Sequence, residues 1–112
     1  MNLKDKVALV TGGASGLGQA TVEAYVNLGA KVVILDINED KANEIINNLG
    51  KENVMFISTD IMKEEPVVEA INLIKEKYNH LHIAVNCAGT GYPGRILGKE
   101  APHPLDLSLI HI

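Results

Sequence analysis

The chain has 112 residues, of which 46% are hydrophobic and 21% charged, with a formal net charge of −4. This length allows one domain at most, and the composition is that of a globular protein, which excludes a disordered one. The acidic balance and the 4% aromatic content argue against nucleic-acid binding, and no apolar run reaches the ~18 residues of a membrane span. A single cysteine and an N-terminus unlike a targeting peptide predict a cytoplasmic protein.

The first predicted element is a buried strand that runs into a glycine-rich turn. Residues 7–10 form a continuous apolar run, which is typical of a parallel strand covered on both faces. In the turn, Gly12 can adopt a positive φ. Gly16 allows the backbone to approach a ligand closely, and Gly18 allows the helix to pack closely on the strand. The N–H groups that begin the following helix favour an anion, so we expect a phosphate or pyrophosphate here.

Three more apolar runs alternate with helical patterns along the chain. The predicted strands are 31–35, 54–58 and 81–85. The predicted helices are 16–28, one from Asp36 or Asn38 to Gly50, and one that begins after Ile61. The positions expected to face the sheet are Leu17, Ala20, Ala24 and Leu28, then Ala42, Ile45, Ile46 and Leu49, then Val67, Ile71, Ile74 and Tyr78.

This order of strands and helices predicts an α/β fold. Its short connections require parallel strands with right-handed crossovers. With a glycine turn after the first strand, the pattern indicates a Rossmann, doubly wound parallel sheet with strand order 3-2-1-4. The ligand crevice then lies at the carboxyl ends of strands one and four. The periodicity stops beyond Gly89, and 90–104 is predicted to be an irregular loop.

Asp36 lies at the end of the second strand, where a carboxylate accepts hydrogen bonds from an adenosine ribose. Its charge would repel a 2′-phosphate, and the next residues, Ile37 and Asn38, offer no positive charge to bind one. The position therefore favours NAD over NADP. The alternative is a helix cap, and one side chain could do both.

Two further residues near the crevice have alternative interpretations. Asp60 is either the N-cap of the third helix or a contact to the amino group of an adenine. Cys87 is interpreted as a small buried residue and not as a nucleophile, because no histidine is placed to activate it. The histidines show no metal-ligand spacing, and the chain has no visible Ser/His/Asp set.

These motifs resemble the short-chain dehydrogenase/reductase family. The pattern T-G-x-x-x-G-x-G spans 11–18, and the sequence N-C-A-G at 86–89 stands where the family has N-N-A-G. The cysteine in that turn makes the chain similar to the type 2 3-hydroxyacyl-CoA dehydrogenase branch, also described as 17β-hydroxysteroid dehydrogenase type 10. The resemblance extends from Lys6 to about Leu107.

The resemblance implies an NAD-dependent oxidoreductase that acts on a secondary alcohol or ketone, with a 3-hydroxyacyl-CoA as candidate substrate, and a homo-oligomer, specifically a tetramer. Ser15 and Leu17 would contact the cofactor phosphates and ribose, and Asp36 would contact the adenosine ribose. Asp60 and Ile61 would flank the adenine, and Cys87 would lie beside the nicotinamide-side ribose. The implied cofactor-binding set is Gly12, Ser15, Gly16, Leu17, Gly18, Asp36, Asp60, Ile61, Asn86, Cys87, Ala88 and Gly89, of which Asn86, Ala88 and Gly89 shape the turn after strand four.

The catalytic groups of the resembled family are a serine and a Tyr-x-x-x-Lys pair. Tyr25, Tyr78 and Tyr92 each lack a lysine four residues later, and no counterpart is present in the 112 residues. We therefore expect the chain to bind or partly bind NAD without catalysing a reaction. The alternatives are a non-catalytic dinucleotide-binding regulator of the same fold and an S-adenosylmethionine-dependent methyltransferase, which the turn at 86–89 disfavours.

The last six residues, L-S-L-I-H-I at 107–112, read as the translation of a mosaic-end adapter used in transposase-based sequencing libraries. We predict that 1–106 is the N-terminal part of a single NAD-binding Rossmann domain and that 107–112 is not native. The alternative is a natural apolar tail that forms a strand. The fourth strand is expected to have no cover on its outer side, which predicts poor solubility and marginal stability.

Overall fold

The computed structural model describes residues 2–87 and the backbone of residues 108–111. The elements in these residues are β1 (Val7–Thr11), α1 (Gly16–Asn27), β2 (Lys31–Asp36), α2 (Glu39–Leu49), β3 (Val54–Ser58), α3 (Glu64–Tyr78), β4 (Ile83–Asn86) and β5 (Ser108–His111). The loop predicted at 90–104 lies outside the described residues. So do Ala88 and Gly89 of the predicted cofactor-binding set.

The strands form one sheet in which every neighbouring pair is parallel, in the order β3-β2-β1-β4-β5. The predicted α/β fold and the order 3-2-1-4 are confirmed. The register sets the end of β1, Thr11, opposite Leu35 on one side and Asn86 on the other. The carboxyl ends of β1, β2 and β4 therefore meet at one edge of the sheet, next to the glycine turn.

The outer side of β4 has a neighbour, so the expectation that it is uncovered is wrong. β5 pairs with it in parallel, with Ser108 opposite Ile83 and His111 opposite Asn86. The physical reason is that the free backbone N–H and C=O groups of a strand edge readily pair with another extended segment. The boundary at 106 lies outside the described residues, and the non-native origin of 107–112 stays a prediction.

The core has two halves, one on each face of the sheet, because successive strand residues point to opposite sides. On one face, strand residues pack with α3, and the buried set is Val7, Leu9, Val33, Leu35, Val67, Ala70, Ile71, Ile74, Leu81 and Ala84. On the other face they pack with α1 and α2, and the buried set is Ala8, Val10, Val22, Ala30, Val32, Ile34, Ile45, Val54, Val85 and Cys87. Helices thus cover both faces, as a doubly wound sheet requires.

The predicted inner faces of α2 and α3 are confirmed. Ala42 and Ile45 of α2 are buried, and so are Val67, Ile71 and Ile74 of α3. Asn38 is the N-cap of α2, since its side-chain oxygen accepts a hydrogen bond from Lys41 N at 3.1 Å. Strong apolar periodicity was therefore sufficient to predict the buried faces of these two helices.

The predicted inner face of α1 is wrong. Ala20 and Ala24 are exposed, and the side chain of Leu17 is 51% exposed, whereas Gly18 and Val22 are buried. The reason is that Gly18 packs directly on the glycine turn, which sets the rotation of the helix about its axis. The apolar residues of this helix are too evenly spread to define a face by themselves.

No helix in the described ranges is long and apolar enough to cross a membrane. The same ranges contain no group of three or more His, Cys, Asp or Glu side chains that could hold a metal ion. The cytoplasmic location and the lack of a metal stay predictions.

Candidate cofactor site

In the turn between β1 and α1, residues 12–14 are buried, and backbone hydrogen bonds connect the turn to itself and to β2. Gly12 has φ 68, the left-handed conformation that the sequence predicted for it. Its N–H donates to Leu35 O at 2.9 Å, and its carbonyl accepts from Ser15 N at 3.0 Å. A Cβ on Gly18 would lie 2.6 Å from the Cα of Gly13, so the helix touches the turn. The predicted roles of Gly12 and Gly18 therefore fit the structure.

Ser15 caps α1. Its Oγ accepts from Gly18 N at 3.0 Å and donates to Gly12 O at 2.7 Å. A hydroxyl has one proton, and here Gly12 O receives it. To donate a hydrogen bond to a cofactor phosphate, the Ser15 hydroxyl would therefore have to give up its bond to Gly12 O.

The first residues of α1 face open space. The N–H groups of Gly16 and Leu17 precede the first intrahelical acceptor, so the helix itself cannot satisfy them. A Cβ on Gly16 would have no atom within 4 Å. Two outward amides at the positive end of a helix fit a pyrophosphate, and the space above Gly16 leaves room for one.

Asp36 lies half-buried beside the turn, and both its carboxylate oxygens accept hydrogen bonds. Oδ2 accepts from Ala14 N at 3.1 Å. Oδ1 accepts from Ile37 N at 2.7 Å and from Asn38 N at 3.1 Å. The helix-cap alternative for Asp36 is wrong because Asn38 is the cap of α2. The carboxylate instead connects the end of β2 to the turn that follows β1.

Asp60 lies at the neighbouring corner, after β3. The two corners touch where Thr59 N donates to the backbone oxygen of Asp36 at 3.0 Å. Asp60 is exposed, and its Oδ1 accepts from Met62 N at 3.0 Å. The cap of α3 is Lys63, which makes no side-chain capping bond, so the N-cap interpretation of Asp60 is wrong. Ile61 packs against the edge of the core beside it, and the adenine contacts of both residues stay predictions.

Thr11, the last residue of β1, links this strand to the end of β4. Its hydroxyl donates to Oδ1 of buried Asn86 at 3.0 Å and lies 3.4 Å from Val85 O. Its backbone oxygen accepts from Cys87 N at 2.9 Å. Thr11 had no separate role in the sequence-based predictions, although a polar residue that ends an apolar strand at a crevice was the signal for one. It orients Asn86 and places Cys87 next to the turn.

Residues 6–103 match the sequence model of a family described as short chain dehydrogenase. This chain belongs to the short-chain dehydrogenase family. The methyltransferase alternative is thereby excluded, and the family resemblance of the motifs is confirmed.

Among relatives in this family, the 3-hydroxyacyl-CoA dehydrogenase type-2 of Drosophila melanogaster is 44% identical over 88 residues, which cover 79% of this chain and 34% of the relative. The protein of the same name from Bos taurus is 39% identical over 107 residues, 94% of this chain and 41% of the relative. A crystal structure of 3-ketoacyl-(acyl-carrier-protein) reductase from Brucella melitensis complexed with NADH is similar with a TM-score of 0.70 and 33% identity, over 75% of this chain and 34% of that one. The chain thus spans well under half the length of each relative.

Cys87 and Tyr25, two residue types that can take part in catalysis, lie where α1 packs on the sheet. Cys87 is buried, and its Sγ lies 3.6 Å from Thr21 Oγ1, which supports the interpretation of a small buried residue. Burial, and then the nearby Cys87, raise the pKa of Tyr25 above its usual value. A tyrosine that acts as a general base needs the opposite shift in pKa. Neither residue has the environment of a catalytic group.

Proposed function

We propose that this chain is the NAD-binding part of an oxidoreductase that transfers a hydride between a secondary alcohol and the nicotinamide. The observation that carries the proposal is the open start of α1 beside the Asp36 carboxylate. Gly16 and Leu17 would hold the pyrophosphate through their N–H groups, and Asp36 would accept a hydrogen bond from the adenosine ribose. Bound NAD supplies the hydride acceptor, and these residues orient it.

The preference for NAD over NADP is part of the proposal. A 2′-phosphate on the ribose would lie against the Asp36 carboxylate, and like charges at close range repel. Ile37 and Asn38, which follow directly, carry no positive charge that could compensate. The Brucella melitensis reductase, similar in fold and 33% identical, is complexed with NADH. This supports a nicotinamide dinucleotide of the same class here.

The remaining contacts are assigned by position along the sheet edge. We assign the adenine to Asp60 and Ile61, because their corner touches that of Asp36. We assign the nicotinamide-side ribose to Asn86 and Cys87, which lie at the end of β4, on the other side of β1. A dinucleotide would then run across the carboxyl ends of β3, β2, β1 and β4.

The substrate we propose for the whole protein is a 3-hydroxyacyl-CoA, and the names of the Drosophila and Bos relatives support this choice. The 112 residues contain no Tyr-x-x-x-Lys, so we propose that they bind NAD without turnover. Turnover of a 3-hydroxyacyl-CoA by the whole protein, followed through NADH absorbance, tests this. A dinucleotide-binding regulator would bind NAD and show no turnover. The family resemblance also supports a homo-tetramer, which light scattering on the whole protein tests.

Gly16→Val tests the placement of the cofactor. A side chain there enters open space, so we expect the unfolding midpoint in urea to stay close to that of the wild type. The same side chain would occupy the position of the pyrophosphate, so calorimetric binding of NAD+ should be lost. Retained NAD+ affinity in a folded Gly16→Val variant would contradict the proposed site.

A further inference from the structure

The hydrogen bonds of Asp36 divide into two groups by distance along the chain. Oδ1 accepts from the next two amides, those of Ile37 and Asn38, and forms a local turn. Oδ2 accepts from Ala14, which is 22 positions away in the glycine turn. A carboxylate offers about four acceptor positions, so roughly one remains on Oδ2.

The amide of Ala14 needs this acceptor. Ala14 is only 6% exposed, and a buried N–H without a partner costs about 1–3 kcal/mol. Backbone oxygens accept the neighbouring turn amides: Leu35 O accepts from Gly12, and Gly12 O accepts from Ser15. The carboxylate of Asp36 is the acceptor for Ala14.

We propose that Asp36 is a positioning residue for the glycine turn, which it holds through the Ala14 amide independently of any nucleotide. The turn-holding role rests on bonds within the chain. Because Gly18 packs on the same turn, holding Ala14 also holds the start of α1 in place. Asp36, which would bind the ribose, and the glycine turn, which would bind the pyrophosphate, are thus joined by a hydrogen bond.

A consequence for the ribose rests on the proposed function. The two hydroxyls of an adenosine ribose would need two acceptor positions on Asp36, and about one remains. Either one hydroxyl bonds to the carboxylate, or the second displaces the Ala14 amide. Replacing Asp36 to admit a 2′-phosphate would therefore also release the turn, and affinity for both NAD+ and NADP+ should fall.

Amide hydrogen exchange without nucleotide tests the turn-holding role. The Asn side chain of Asp36→Asn keeps one carbonyl oxygen, which stays with the adjacent Ile37 and Asn38 amides, while its NH2 group faces Ala14. We expect exchange at Ala14 to become at least about tenfold faster, with Ile37 and Asn38 still protected, whereas Asp36→Ala should speed up all three. Asp40→Asn, in the exposed first turn of α2, removes an equal charge and should change none of them.

Wild-type exchange at Ala14 in both Asp36 variants would overturn the proposal. The exchange experiment contains no nucleotide, so a failure of NAD+ binding would count only against the proposed function.

Discussion

Two corners of the sheet have the same place in the fold and different structures. The β1–α1 turn and the β3–α3 connection each follow a parallel strand at its carboxyl end and lead into a helix. The first is buried, with Ser15 capping the helix and Gly18 packed on the turn. The second is largely exposed, with Lys63 at the cap position and no side-chain capping bond.

This difference shows that a helix after a strand does not by itself produce a buried, capped turn. At the β1–α1 turn, glycines allow α1 to begin in contact with the strand end, and a distant carboxylate holds the turn. At the β3–α3 connection, the Asp60 carboxylate makes a local bond, to Met62 N.

The largest effect is expected from Gly18→Ala. The new Cβ would lie 2.6 Å from the Cα of Gly13, and this backbone atom cannot move aside without shifting the turn. We expect a loss of about 3 kcal/mol in the free energy of unfolding, measured in urea. Pro66→Ala, at the matching third position of α3, should change it by less than about 1 kcal/mol. Equal free energies of unfolding for Gly18→Ala and Pro66→Ala would contradict the proposed difference in packing between the two corners.

Asp36→Ala should weaken NAD+ binding strongly. It removes a hydrogen bond from a charged group to the ribose and also releases Ala14, which together should cost about 2 kcal/mol, or about 30-fold in Kd. Asp60→Ala breaks a local bond to Met62 N and releases no part of the glycine turn, so its effect on Kd should be several-fold smaller. Calorimetry measures the Kd of both variants for NAD+. A larger increase in Kd for Asp60→Ala than for Asp36→Ala would contradict the assignment of the ribose to Asp36.

Ser15→Ala should cost about 1 kcal/mol of stability, because it removes the cap that accepts from Gly18 N. Lys63→Ala removes no capping bond and should change stability by less than about 0.5 kcal/mol. Chemical unfolding of the two variants compares the caps directly. A loss at Lys63 as large as that at Ser15 would show that α3 has a cap of its own.

The smallest effect concerns tyrosines on the same two helices. Burial raises the pKa of both Tyr25 on α1 and Tyr78 on α3. A pKa that is higher in the folded state gives stability that is complete below about pH 10, the usual value in an unfolded chain, and is lost as the pH rises through the folded value. Tyr25→Phe and Tyr78→Phe should each flatten the decline of the unfolding midpoint above about pH 10. If the unfolding midpoint of both variants declined with pH as it does in the wild type, the raised pKa values of Tyr25 and Tyr78 would be contradicted.

The sequence was sufficient where the signals were local. Apolar periodicity and glycine spacing predicted the strand order, the buried faces of α2 and α3, and the positive φ of Gly12. They did not predict the buried face of α1, because the contact of Gly18 with the turn, and not an apolar stripe, sets the rotation of this helix about its axis.

The finer parts of the site depend on tertiary structure. Which Asx residue caps a helix depends on backbone geometry, so Asn38 was separated from Asp36 only in the folded chain. The bond between Ala14 and Asp36 joins the glycine turn after β1 to the end of the neighbouring strand β2, which no local pattern indicates. The same is true of the pairing of β5 with β4.

We propose that the open start of α1 and the Asp36 carboxylate form an NAD site. Calorimetric titration of the wild-type chain with NAD+ and, separately, with NADP+ is the decisive measurement. We expect one NAD+ per chain and an affinity for NADP+ at least about tenfold weaker, because the 2′-phosphate would meet the Asp36 carboxylate. No NAD+ binding by the folded chain, or NADP+ binding as tight as that of NAD+, would contradict it.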